Sequence, residues 1–401
     1  MAKKIEDIFE RQHRRGINRS VEYAEMIRRL FEQTVTDIVG LQSTDLTLAE
    51  GEMFSFDALP IKTQQEVERL LRRLHSVATT ATENKIEIEW EKANEEIDRF
   101  VESKVGKEVI DNPKFKAWTA RNTTALYTFM IRKQGNKTLS ERIWSATRQL
   151  REEMEVAMTV SIGEGKSAAQ MSREVKKYLN DPDLMFRRFR YKIEDKIVED
   201  KDADGNVIGT HKETVWGRKW KKLVKDENGR KHWIDYDKDS YKVGSGMYKS
   251  ATKNAMRVTR TETNMAYRRA DQERWQKLDF VLGYHIQPSA NHTEEDCEPD
   301  ICEQLKGDYP KTFKFTGWHI QCLCFSTPIL MSDDEYMAMM DAKAQGKPYK
   351  SPRLITDYPQ GFKDWCVENA DKIEDLHKRG KDPYFVRENW KVVKDIEEDE
   401  E

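Results

Sequence analysis

Apolar positions recur by threes and fours along the first half of the chain. From Ile143 the series continues through Thr147, Leu150, Met154 and Ala157, which is one face of a helix. Ser140, just ahead of it, is a candidate N-cap. Residues 64–104 are rich in charge and carry Val67, Leu70, Leu71 and Leu74 on one side. Gly163 and Gly165 break the pattern; Ser167 opens a further helix to about Leu179, and Asn180-Asp181-Pro182 closes it. Residues 1–185 therefore read as a helical domain.

The period changes after that. Tyr191–Val198, Val207–Trp220 and Lys231–Tyr236 are short β-like runs, separated by the turn signals Asp204-Gly205-Asn206 and Asn228-Gly229. They predict a small antiparallel meander, inserted over 186–246 and ended by Gly244 and Gly246. A long helix is expected from about Met247 to Leu278, with Ala251, Ala255, Val258, Glu262 and Met265 as its stripe. A strand at Phe280–Ile286, a polar cysteine-bearing loop and a strand around Leu323–Ile329 complete a segment 247–331. The remainder, 332–401, reads as a charged tail, helical in parts, whose acidic run Asp395–Glu401 is expected to be disordered. The fold class is α+β: a mainly helical N-terminal half, a small antiparallel β-meander insertion, then a long helix with short strands around a Cys/His cluster.

Composition narrows the function classes. Of 401 residues, 37% are hydrophobic and 35% charged, a balance that suits long solvated helices over modest cores. Ten Trp, fourteen Tyr and fifteen Phe supply bulk enough to exclude global disorder. With 69 basic and 72 acidic residues the net charge is -3, so any contact with nucleic acid must be local rather than driven by a global field. The N-terminal residues lack an apolar signal-peptide core, and no apolar run approaches the ~20 residues of a membrane span, so synthesis in the cytoplasm and no membrane association are expected.

The strongest chemical signal is the clustering of Cys297, Cys302, Cys322 and Cys324, with His319 among them and only Cys366 apart. A disulfide framework is out of place in a large reduced chain, whereas such clustering favours a metal. Zinc takes four soft or borderline ligands in a tetrahedron. Residues two apart on a strand share a face, which points Cys322 and Cys324 at one ion and sends Leu323 and Phe325 into the core. Five donors compete for four positions: Cys302, His319, Cys322 and Cys324 are favoured, and Cys297 is the competitor. Four protein ligands would leave no position for water, which makes the expected zinc structural; the alternative is a set of buried core thiols. The loop 287–319 reads as long and polar, in need of a pin. His292-Thr293-Glu294 is the His-x-Glu of zinc deaminases, but no Pro-Cys-x-x-Cys follows, so both side chains read as loop residues.

Three further features stand out. Glu262 falls on the apolar stripe beside Arg260, and a buried carboxylate there requires an Arg or backbone amides as partner. The stretch 216–231 carries Arg218, Lys219, Lys221, Lys222, Arg230 and Lys231 interleaved with Trp216 and Trp220. It is either a hairpin for phosphates and bases or an edge strand protected by lysines. Cys366 and His377 read as ordinary packing or surface residues.

Several of these segments resemble one family. Arg260-Thr261-Glu262-Thr263-Asn264-Met265-Ala266-Tyr267-Arg268 is similar to the Arg-Thr-Glu helix of phage head-morphogenesis proteins, the Mu F-like minor head proteins. His319-Ile320-Gln321-Cys322-Leu323-Cys324 is similar to their closing His-Pro-x-Cys-Arg-Cys, with Ile320 in place of the Pro and Leu323 in place of the Arg. Cys302–Gly307, Leu139–Trp144 and Ile162–Ser167 resemble the segments upstream of that motif, so the likeness spans about 139–330. It implies a virion component of a phage or prophage, a minor capsid protein inside the head near the portal after assembly in the host cytoplasm. It also implies contacts with the portal protein, with capsid or scaffold proteins and with phage DNA, and a role in binding rather than catalysis. The rivals are an enzyme, such as a C-terminal nuclease or ADP-ribosyltransferase toxin, and a host zinc-binding DNA adaptor. Against the enzyme, 332–401 holds one histidine, His377, and no catalytic constellation.

Overall fold

The computed structural model describes residues 2–41, 48, 54–163, 166–180, 186–201, 207–225, 231–236, 250–289 and 301–399. Helices α1 (Ala2–Gly40) and α2 (Ile61–Val105) are followed by the short α3 (Lys107–Ile110), α4 (Lys116–Thr119) and α5 (Thr123–Ile131). Then come α6 (Leu139–Gly163) and α7 (Ala168–Asn180), strands β1 (Phe186–Lys201), β2 (Val207–Lys225) and β3 (Lys231–Tyr236), and α8 (Ala251–Trp275). The rest is β4 (Val281–Gln287), α9 (Ile301–Gln304), β5 (Gly307–Tyr309), β6 (Phe325–Leu330) and helices α10 (Asp333–Ala344), α11 (Gln360–Glu368), α12 (Ala370–Lys378), α13 (Tyr384–Glu388) and α14 (Trp390–Asp399). The protein is α+β and mainly helical.

Two compact units emerge, and they are interleaved along the chain. One comprises residues 1–28, 75–145 and 255–401; the other comprises 29–74 and 146–254. The serial segments 1–185, 186–246, 247–331 and 332–401 expected from sequence do not map one-to-one onto them, because periodicity marks elements and does not say which distant elements pack together.

In the second unit, Leu70 and Leu71 of α2, Leu150, Met154 and Ala157 of α6, and Val175 and Leu179 of α7 are all buried, as their spacing predicts. Ser167 caps α7 with Gln170 answering: the Gln170 N–H donates to the Ser167 hydroxyl and the Ser167 N–H to the Gln170 amide oxygen. At α6, whose first turn belongs to the other unit, the cap is Thr138 with Glu141 rather than Ser140. Ser140 lies inside the helix, with its hydroxyl 2.9 Å from His75 Nε2. The first N–H of α8, at Ala251, donates to the buried carboxylate of Glu153. The meander is present in the expected order β1-β2-β3, antiparallel throughout, with β1 and β2 longer than predicted. Its turns, Arg230 and the glycines at 244 and 246 lie outside the described residues.

The first unit is built around α8 from Ala255 onward. The stripe predicted there is buried at Ala255, Glu262 and Met265 and half-buried at Val258, but burial extends all round the helix from Thr261 to Arg268. Its polar residues are therefore paired inward. Thr259 meets Thr82 at 3.0 Å, Tyr267 donates to Glu96, Gln272 donates to Tyr284, and Arg274 donates to Asn94, Asp98 and the carbonyl of Trp118. Glu262 is fully buried between two arginines, Arg132 at 2.5 Å and Arg142 at 2.7 Å. Burial pushes its carboxyl up, and the two guanidinium charges more than reverse this and hold it below the usual range. Arg260, at the start of the same motif, is half-buried.

Beside α8 a second sheet forms in the order β5-β4-β6, antiparallel; the short β5 had no counterpart in the sequence reading. Two expectations are corrected here. The segment 301–318 is not a polar loop: Leu305, Tyr309, Phe313, Phe315 and Trp318 are buried, so it supplies its own core. Nor is the tail a separate solvated piece. Phe362, Cys366, Ile373, Phe385, Val386, Val393 and Ile396 join the same apolar cluster as Tyr284 and Cys302, and the acidic run is helical through Asp399 because Ile396 anchors its inner face.

Asp271 is also buried on α8, and burial with the charge of Glu96 nearby pushes its carboxyl well above the usual range. A raised carboxyl pKa means the folded state keeps a proton that the unfolded state releases above about pH 4, so folding becomes costlier as pH rises, by about 1.4 kcal/mol per unit. Asp271→Asn should gain stability over the wild type progressively from pH 4 upward, until the folded-state pKa is passed. Denaturant titrations across that range measure it, and a stability difference that is constant with pH would contradict the assignment.

Candidate metal centre

Three buried thiols converge in the first unit. The Sγ atoms of Cys302, Cys322 and Cys324 all lie within 4.8 Å of one another, and this trio can hold a metal ion. Cys302 sits on α9, whose position is set by α11: at Gly361 an added Cβ would lie 2.1 Å from the Gln304 carbonyl oxygen, so only glycine lets the two helices approach this closely. Cys322 and Cys324 lie in the irregular segment just before β6 rather than in a strand. They share the inward face as the spacing predicted, with Leu323 half-buried between them instead of in the core. Phe325, buried as expected, stacks on His13 with ring centroids 5.6 Å apart.

The turn that delivers the pair starts at His319. Its carbonyl accepts the Cys322 N–H at 3.2 Å, and Gln321 adopts a positive φ of 62° to close the turn. His319 Nε2 lies 3.2 Å from Cys302 Sγ, while its Nδ1 donates to the Ile320 carbonyl at 2.9 Å. With Nδ1 donating to that carbonyl, Nε2 is the nitrogen that faces the sulfurs: it donates to a Cys322 thiolate when protonated and, once deprotonated, presents the lone pair a ligating imidazole needs.

Arg268, in the last third of α8, organises the whole segment. Its guanidinium donates to the carbonyls of Thr316 (3.0 Å), Cys322 (2.6 Å) and Cys324 (2.8 Å), all in the buried interior. Gly317 makes room for it. The glycine has φ +121°, and a Cβ there would stand 3.0 Å from an Arg268 nitrogen and 3.1 Å from Cys322 Cβ. Electrostatics follow from this packing. Burial opposes ionisation of Cys322, but hydrogen bonds from Cys302, Cys324 and His319 and the charge of Arg268 outweigh it and hold the thiol well below its ordinary range. Cys302 is pushed up by sharing hydrogen bonds with Cys322 and Cys324 and by burial. His13 Nε2 donates to the Leu323 carbonyl, and burial with the nearby Arg268 charge pushes its imidazole down to about 3.

The trio and His319 form a donor set of three sulfurs and one nitrogen, the chemistry of a closed divalent-metal site. An ion of charge +2 with three thiolates leaves one net negative charge, which the buried Arg268 guanidinium would offset. Of the other nominated residues, Cys297, His292 and Glu294 lie outside the described residues. Cys366 is a buried core thiol, and His377 stacks on Trp390 and pairs with Asp382. Arg268, Gly317 and His13 were not singled out from sequence; only Arg268 left a trace there, as the last residue of the motif helix.

Compared with protein-family models, with curated proteins and with solved structures, the chain matches none.

Two outcomes follow. Protein purified without added metal should contain about one ion per chain, and the Cys322→Ser/Cys324→Ser double variant should contain none; elemental analysis measures both. Arg268→Met leaves three buried carbonyls without their donor, at about 1–3 kcal/mol each, and should lower unfolding stability by at least about 3 kcal/mol. A loss below about 1 kcal/mol would show that the guanidinium is dispensable.

Proposed function

We propose that the chain is a minor head protein of a tailed phage or prophage, acting by binding in head morphogenesis, with a structural zinc held by Cys302, His319, Cys322 and Cys324. The observation that carries this reading is the convergence of the separated segments in which the resemblance lies. Arg142, from the segment Leu139–Trp144, binds Glu262 of the Arg-Thr-Glu helix. Arg268, at the end of that helix, binds the carbonyls of Cys322 and Cys324. Cys302, from the segment 302–307, meets His319 of the closing motif. Residues so placed form one structural device, as expected of a family signature that maintains a fold rather than a reaction.

Zinc fits the donors: thiolates and imidazole suit it, and a site whose four positions are all taken by protein serves structure. The non-enzymatic reading draws support from the tail. Residues 333–399 share the core of the first unit, where a separable toxin domain would carry a core of its own. The partners on this reading are the portal protein and the capsid or scaffold proteins, with the packaged DNA within reach inside the head.

Induction of a lysogen carrying the gene, followed by purification of full heads and mass spectrometry, should find the chain in a few copies per virion. Tagged protein should also co-purify with the portal. Heads that lack it, together with failure to bind portal, would remove this function; the zinc is tested separately by the elemental analysis above.

A further inference from the structure

The strand register of the meander assembles a charge pattern that the linear sequence hides. β1 and β2 pair antiparallel so that residues 186–192 lie alongside 216–222. These two seven-residue stretches contain eight Arg or Lys and no Asp or Glu. The outer part of the same ribbon, 193–201 with 207–215, contains five acidic and three Lys residues and no Arg. Charge is therefore segregated along one continuous pair of strands, within a chain whose overall charge is only -3.

Arg190 is directly across from Arg218, and Arg187 directly across from Lys221. The register thus gathers cationic residue types on both strands at one end of the ribbon, the composition that a polyanion would match. Aromatic residues occupy the register between them, with Trp220 across from Arg188. At about 3.3 Å per residue the cationic root is roughly 20 Å long, enough to follow several consecutive phosphates.

We propose that the paired root of β1 and β2 is a binding surface for duplex DNA, engaging the phosphate backbone without reading sequence, and that the arginines of β1 are as much part of it as the lysines of β2. This rests on the minor-head reading only for where the DNA comes from. The partner is chosen over an acidic protein because cations repeated along both strands of a ribbon match a regular line of phosphates.

The test uses the full chain, with fluorescence anisotropy on a labelled duplex of about 20 base pairs over a salt series and polyglutamate as competitor. For the wild type, log affinity against log salt should fall with a slope of about -4 to -7, since each neutralised phosphate contributes about 0.9. Arg188→Gln/Arg190→Gln should make the slope shallower by about 2 and weaken binding roughly tenfold at low salt, while Lys196→Gln/Lys212→Gln, in the outer ribbon, should change neither. Equal losses from the two double variants, a wild-type slope shallower than about -2, or polyglutamate binding tighter than DNA would overturn the proposal. The last two readouts need no variant, so a misfolded variant does not rescue it. Absence of the protein from virions would leave this result unaffected, which separates the two failures.

Discussion

One guanidinium in the dry interior of the first unit fixes the geometry on which the site depends. Arg268 satisfies three carbonyls of an irregular segment that has no sheet or helix to satisfy them, and in doing so it sets where Cys322 and Cys324 stand. Irregular backbone is seldom buried because its polar groups lack partners; here one planar side chain, with donors in a fixed fork, supplies them. Gly317 and the positive φ of Gln321 are the conformational accommodations that let the chain wrap around that fork.

The rest of α8 follows the same logic at larger scale. Its middle is buried on every side yet carries the charges of Glu262, Arg268 and Arg274, each of which needs a partner brought from elsewhere in the chain. α2 supplies Asn94 and Asp98 to Arg274, the segment after α5 supplies Arg132 and α6 supplies Arg142 to Glu262, and Arg268 takes its carbonyls from 316–324. Replacing one member of such a set leaves an uncompensated charge in low dielectric, which costs more than the pair contributes to stability when intact. The helix thereby discriminates among arrangements of its neighbours: only the one that delivers every partner leaves no charge stranded.

Much of this architecture was legible beforehand, and the misses have physical reasons. Helix stripes at 143–157 and in α2, the meander, and the α8–β4 succession are local periodicities, which a sequence displays directly. Glu262 could be marked as a buried acid because it interrupts an apolar stripe, but its partners Arg132 and Arg142 lie 130 and 120 residues away and carry no local signal. The burial of segment 301–318 leaves no sequence signal for a related reason: its aromatic residues follow no period, being buried by a turn-rich path rather than by a regular element. The clustering of Cys302, Cys322 and Cys324 is itself a chemical signal; Arg268 gives none, because an arginine on a charged helix looks like solvated surface.

The interleaving of the two units bears on how the chain is made. His13 reaches the carbonyl of Leu323, and Phe9 packs against Trp275, so the first unit closes only when its earliest and late segments are both available. At ribosomal rates of about 5–20 residues per second, roughly 15–60 s separate the synthesis of His13 from that of Leu323. Throughout that interval the inner face of α1 has no native partner from the cysteine segment, and for most of it none from α8. Cys322 and Cys324 therefore emerge only as the first unit becomes able to close, so the metal centre and the closure of that unit are completed together.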